Sequence, residues 1–464
     1  AIEGLDDKSR ASLAFWTGQV SDALSPANFA MTNPAVLREM VESKGESLVR
    51  GLENLLHDLE ASKGPLTISM CDPNAFTLGE NIATSKGQVV WQNALMQLIQ
   101  YAPATEQVLQ APLLILPPWI NKFYVLDLQP GNSFIKWCVD QGLTVFVVSW
   151  VNPDASYRDT GFDDYMRLGV FEALDAIEQA CGASKVHALG YCLGGTLLAT
   201  AMAVMKARGD TRIQSATLLT TMLDFSEPGE LGVFTDETQI EALEQKMEAR
   251  GFLEGNEMAG TFSMMRANDL IWFFVINNYL LGKAPKPFDL LYWNSDSTRM
   301  PAAMHSFYLR RMYLENKLAK PAGITIDSVP IDLGSVKVPT FVLATLEDHI
   351  APWQSAWKAT KLLGGKVEFV LSGSGHIAGV INPPSTGKYP HWTNKGPNKA
   401  RFDNAEAWLE NAERQSGSWW PSWFSWLCGH SKKLVPARTP GDSKLECIEA
   451  APGSYVRQRF DQKT

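Results

Sequence analysis

One stretch constrains this chain more than any other: Lys185 to Ala199, which reads KVHALGYCLGGTLLA. A short apolar strand over Val186–Leu189 runs into Gly190-Tyr191-Cys192-Leu193-Gly194-Gly195, and a helix of small residues opens at once beyond it. That is the pattern of a nucleophile elbow, in which a sharp strand-to-helix turn lifts one reactive side chain above a sheet and glycines on either side make room for it. Here the raised side chain is the thiol of Cys192. At the start of a helix the backbone N–H groups and the helix dipole favour its nucleophilic thiolate form. The N–H of Leu193 would face an oxyanion formed beside it. A lone cysteine is more often a buried structural residue, but the G-x-C-x-G-G setting weighs against that reading.

The surrounding pattern says what kind of sheet carries the elbow. Val89-Val90-Trp91 suggests a strand, and Ala94 to Tyr101 is apolar but ambiguous. Pro112 to Leu116, Leu143 to Ser149, Val186 to Leu189 and Ala216 to Met222 are short apolar runs. Helical stretches separate them: Asn132 to Gln141, Asp163 to Gln179 and Gly194 to Arg208. Such alternation reads as βαβ units around a buried parallel sheet, so the fold class is α/β. After Met222 the alternation stops. Asp224 to Lys337 is rich in Met and aromatic residues, with helical stretches at Thr238 to Arg250 and Asp269 to Leu281. Strand and helix texture resumes with Pro339 to Thr345, a helix over Pro352 to Leu363, Lys366 to Ser372, and a last helix over Asn404 to Arg414.

A helical block between two strands of one sheet is expected to cap the carboxyl edge, where ligands of open α/β sheets bind. The chain therefore divides into an N-terminal helical accessory region (1–86), a first core part (87–223), the cap insertion (224–337), a second core part (338–415) and a Trp-rich tail (416–464). In the first of these, Asn33 to Lys63 carries apolar residues at helical spacing and ends in Gly64-Pro65. In the last, Trp419, Trp420, Trp423 and Trp426 either pack on the body or touch a hydrophobic partner.

A cysteine nucleophile wants a histidine base, and on this kind of sheet the chain order is nucleophile, acid, histidine. Asp348 follows the strand that ends at Thr345, and His376 follows the strand that ends at Ser372, flanked by glycines. His349 and Glu347 compete for these roles, although His349 adjoins Asp348 and adjacent side chains tend to diverge. His187 reads as a core strand residue, and His57, His305, His391 and His430 show no partner pattern. The loop Pro117-Pro118-Trp119-Ile120-Asn121-Lys122 occupies the position from which an α/β-hydrolase fold supplies a second oxyanion N–H. Ile120 is the candidate donor, and a rigid Pro-rich turn with no role is the alternative.

Composition narrows the partners. The formal net charge of −9, with no basic cluster, argues against nucleic acid. No run of about 18 uncharged apolar residues suggests a membrane span, and no stretch reads as a signal peptide. The six cysteines show no metal-ligand spacing and fit reduced thiols of a cytosolic protein. The start at Ala1, inside a helical texture, suggests an N-terminally trimmed chain.

Taken together, the chain resembles the polyhydroxyalkanoate synthases, most closely the short-chain, class I type. The resemblance rests on GYCLGGT at Gly190–Thr196, PPWINKFYVLDLQPGNS at Pro117–Ser133, SWVNPD at Ser149–Asp154, DLLYWNSDSTRMP at Asp289–Pro301, EDHIAPW at Glu347–Trp353, GSGHIAGVINPP at Gly373–Pro384 and GSWWPSW at Gly417–Trp423. It implies an α/β-hydrolase fold and polymerisation of (R)-3-hydroxyacyl-coenzyme A, with 3-hydroxybutyryl-CoA the foremost substrate. Cys192 would carry the acyl group as a thioester, His376 would take the thiol proton, and Asp348 would activate the 3-hydroxyl directly or through His376. The resemblance also implies no metal or organic cofactor, a cytoplasmic enzyme on the surface of polyester granules, and a homodimer formed through the cap. The family has a longer region before its elbow than the 191 residues here, so part of the N-terminal domain is expected to be missing. A polyester depolymerase or acyl-CoA thioesterase with the same triad, and a granule-coating protein with a decayed site, are the rival readings.

Overall fold

The apolar runs pair into one eleven-stranded sheet in the computed structural model, which describes residues 4–62, 66–394 and 402–459. In chain order its strands are β1 (Gly87–Gln92), β2 (Met96–Tyr101), β3 (Leu113–Leu116), β4 (Val145–Trp150), β5 (Val186–Tyr191), β6 (Ile213–Leu219), β7 (Thr340–Thr345), β8 (Val367–Ser372), β9 (His391–Thr393), β10 (Glu413–Gln415) and β11 (Glu449–Ala450). Their lateral order is β10-β9-β8-β7-β6-β5-β3-β4-β2-β1-β11. The six strands from β4 to β8 across the centre are parallel, and those outside them pair antiparallel. Every residue of β3, β4, β5 and β7 is buried. Parallel strands covered on both faces need such continuous apolar runs. The ambiguous stretch before Tyr101 is a strand, β2, because it lies buried beside β4.

The chain passes from β3 outward to β4 and then returns to the other side of β3 to make β5. Connections leaving β3 and β5 therefore diverge, and a crevice opens at their carboxyl ends. The segment between β6 and β7 is mainly helical, with Glu237–Arg250, Gly255–Met265, Asp289–Asn294 and Ala302–Tyr308 as α-helices and Leu309–Leu314 as a π-helix.

The chain groups into two compact units: Ala1–Thr77 with Asn256–Ser297, and Leu78–Gly255 with Thr298–Thr464. In the first, the expected helical region from Asn33 is two helices, Pro34–Glu42 and Glu46–Ala61, separated at Gly45, whose φ of 87° no helix accommodates. The Lys63 end and the Gly64-Pro65 stop lie outside the described residues. Asp58 holds this unit together by accepting from Tyr279 Oη at 2.6 Å and Ser69 Oγ at 2.5 Å.

In the second unit, the helix expected from Asp163 is widened to a π-helix over Tyr165–Phe171 before continuing as Glu172–Cys181. The helix expected to reach Arg414 stops at Glu410, and Glu413–Gln415 forms β10 instead. Trp419, Trp420 and Trp423 are fully buried and pack around Phe134, with ring centroids 5.0 to 5.8 Å from it. The tail thus completes the core of this unit.

Candidate active site

The elbow forms because two glycines let backbone approach backbone. A Cβ on Gly190 would lie 2.4 Å from Gly195 Cα, and one on Gly194 would lie 2.0 Å from the Leu116 carbonyl oxygen. Between them Cys192 takes φ 52° and ψ −118°, a conformation that costs a side-chain-bearing residue on the order of 1–3 kcal/mol. Surrounding bonds hold it there. The Cys192 N–H donates to Leu219 O at 2.9 Å, and its carbonyl accepts from the N–H groups of Gly195 and Thr196 at 2.9 and 3.2 Å. The thiol is half-buried, and the helix Leu193–Arg208 begins immediately after it.

Asp348 and His376 meet at the same edge. His376 Nδ1 lies 2.7 Å from Asp348 Oδ2, both side chains being buried. Thr345 Oγ1 donates to the same oxygen at 3.2 Å, while Oδ1 accepts from the N–H groups of Ile350 and Ala351 at 2.9 and 2.8 Å. The His376 loop is pinned by Glu347 N–H donating to Ser374 O and by Ser372 Oγ donating to Gly379 O, each at 2.9 Å. Burial pulls the His376 imidazole toward its neutral form. The charges of Asp348 and Cys192, and hydrogen bonds to both, outweigh that effect and push it up to about 10. The imidazole thus bridges carboxylate and thiol, which is the arrangement of a nucleophile, a base and an orienting acid. His376, not His349, occupies the Asp348 carboxylate, and Glu347 is exposed.

The loop after β3 also reaches the elbow, since the Gly194 Cβ position would lie 2.9 Å from Pro117 O. Thr298 steadies this loop by donating Oγ1 to Trp119 O at 2.6 Å and its N–H to Ile120 O at 3.5 Å. His187 lies buried in β5 with Nδ1 2.7 Å from Ser215 Oγ, as a core histidine should.

Sequence reasoning missed an aromatic wall beside the thiol. Tyr308 is buried and Tyr313 half-buried, with ring centroids 5.4 Å apart, and Phe225 contacts both. Burial raises both phenols, and the Cys192 charge adds to the rise in each. A spacing of five carries no α-helical signal. The π-helix Leu309–Leu314 brings such residues toward one face. Among the described residues no group of three or more His, Cys, Asp or Glu could hold a metal ion, and no helix is long and apolar enough to cross a membrane.

A thiol on a strained strand-to-helix turn, with an aspartate and a histidine at later strand ends, defines the α/β-hydrolase class, and the family model of that fold matches residues 112–383. The model for the poly-beta-hydroxybutyrate polymerase N-terminus matches residues 1–138. The poly(3-hydroxyalkanoate) polymerase subunit PhaC of Rhizobium meliloti (strain 1021) is 54% identical over 98% of this chain and 74% of its own length. That of Cupriavidus necator is 45% identical over 99% of this chain and 77% of its own. Among solved structures, the Paleococcus ferrophilus monoacylglycerol lipase is similar over 72% of this chain and 99% of its own, at 14% identity and a TM-score of 0.39. The chain belongs to the poly(3-hydroxyalkanoate) polymerase family.

Proposed function

We propose that this chain polymerises (R)-3-hydroxyacyl-CoA into polyester with release of coenzyme A, using Cys192 as the acyl carrier. The observation that carries the proposal is the Cys192–His376–Asp348 constellation within a chain of this family. In the first step the Cys192 thiolate attacks the thioester carbonyl of the substrate. The tetrahedral oxyanion is assigned to the N–H groups of Leu193 and Ile120. It collapses with cleavage of the bond to coenzyme A, whose sulfur takes the proton held by His376. In the second step the hydroxyl oxygen of a chain or substrate attacks the enzyme thioester and gives its proton to His376. The ester bond forms and Cys192 is released as thiolate. A thioester stays activated, so acyl groups pass from sulfur to hydroxyl, whereas a serine ester would be the poorer donor.

Asp348 is read as acting through His376, because its side chain is fully buried and both of its oxygens are already engaged. Phe225, Tyr308 and Tyr313 supply an apolar wall that favours hydroxyl over water as acceptor. The steps use a thiol, an imidazole and a carboxylate, and the proposal includes no metal or organic cofactor. Cytoplasmic work at a polyester granule surface, as a homodimer through the segment 224–337, completes it.

Incubation with 3-hydroxybutyryl-CoA tests the reading. Polymer and coenzyme A are expected, and Cys192→Ala is expected to abolish both. Release of free 3-hydroxybutyrate without polymer would refute polymerisation, and unchanged turnover in Cys192→Ala would refute the nucleophile.

A further inference from the structure

Tyr191 immediately precedes the nucleophile, yet its side chain engages the histidine loop. Its hydroxyl donates to the backbone carbonyl of His376 at 3.1 Å, and its ring stacks on the imidazole with centroids 5.8 Å apart and planes 24° apart. The residue is 2% exposed. Burial, followed by the charges of Cys192 and Asp348, pushes the phenol well above its ordinary value, so it keeps its proton and remains a donor.

We infer that Tyr191 is a positioning residue for His376, tying the last residue of β5 to the base that serves the next residue in the chain. The inference rests on His376 being the base of Cys192. Hydrogen bonds to Asp348 and Cys192 hold the imidazole only at its nitrogens, and a ring held there can still tilt about the line between them. The Tyr191 hydroxyl fixes the backbone from which the ring hangs, and the stacked ring limits its tilt. Both constraints originate one residue from Cys192. Any small displacement of the elbow therefore carries the base with it, and the distance between thiol and Nε2 is preserved. A misplacement of about 1 Å can cost roughly a hundredfold in rate, which is the loss such a tether prevents.

The test measures acylation of Cys192 by 3-hydroxybutyryl-CoA in single turnover, located by peptide mass, and KM for the same substrate. Tyr191→Phe keeps the ring and the fold and is expected to slow acylation about fivefold, the worth of one hydrogen bond, with KM unchanged. Tyr191→Leu also removes the stacked ring, and its loss is expected to approach about a hundredfold, again with KM unchanged. In a His376→Gln background, Tyr191→Phe is expected to cost nothing further. Acylation within about twofold of wild type in both Tyr191 variants would overturn the inference, as would a full fivefold loss in the His376→Gln background. If His376→Gln alone leaves acylation unchanged, the base assignment falls, and this inference falls with it.

Discussion

Replacing Asp348 by Asn keeps the shape of the side chain and removes its charge, and the hydrogen bonds around it dictate which way the amide must face. Oδ1 accepts two backbone N–H groups, at 2.9 Å from Ile350 and 2.8 Å from Ala351, so the amide oxygen must take that position. The NH2 group then lies where Oδ2 was, 2.7 Å from His376 Nδ1. A donor there forces Nδ1 to accept, and the ring proton moves to Nε2, the nitrogen that should receive the thiol proton. Losing the charge-assisted bond costs about 1.5–3 kcal/mol, or roughly tenfold to just over a hundredfold in rate. In serine triads a reversed tautomer raises the loss to about 10⁴-fold. A thiol ionises more readily than a hydroxyl and leans less on its base, so about 10²- to 10³-fold is expected here. Single-turnover acylation by 3-hydroxybutyryl-CoA, monitored as coenzyme A release, measures it. An Asn variant acylating within about threefold of wild type would refute the proton-transfer role of His376 under Asp348.

Three other perturbations follow from the same structure. His376 is held at about 10 in the folded chain against an ordinary 6.5, so its contribution to stability is fully present below about pH 6.5 and is lost as pH rises through about 10. Urea midpoints should fall across that window, and should fall less in His376→Gln. Gly194→Ala would push a methyl to 2.0 Å from the Leu116 carbonyl oxygen. Backbone on both sides cannot yield, and a loss of about 3 kcal/mol or more is expected in urea unfolding, together with loss of thiol acylation. Trp423→Ala removes a fully buried indole that packs on Phe134 and Trp137 and donates to Thr217 Oγ1 at 2.9 Å. Its expected cost is about 3–5 kcal/mol, with acylation per folded molecule unchanged.

What could be read from the residues depended on how locally each feature is specified. The elbow is local, because strand, glycines, thiol and helix all fall between Val186 and Arg208. Asp348 and His376 were legible because each follows a buried apolar run by a few residues. Strands β9, β10 and β11 were not legible, since two or three polar or mixed residues become strand only through a neighbour that already exists. The π-helices escaped for a related reason: their period matches neither 3.6 nor 2. Tyr308, Tyr313 and Tyr191 were present in the sequence, but their roles beside Cys192 and His376 depend on contacts between distant segments.

The sheet order explains how one scaffold can bring these distant segments together and still admit a long insertion. Cys192 follows β5, Asp348 follows β7 and His376 follows β8, and parallel register brings all three carboxyl ends to one edge. Between β6 and β7 the chain leaves for well over a hundred residues, yet Thr340 returns opposite Ala216 as though the excursion were a short crossover. Because β7 is located by the apolar pairing of its own residues with β6 and β8, the inserted segment is free to vary without moving Asp348. Tyr308 and Tyr313 toward its end then feel the charge of Cys192, and Phe225 at its start packs against both. The residues of the Cys192–His376–Asp348 constellation and the aromatic residues beside it are therefore contributed by different parts of the chain.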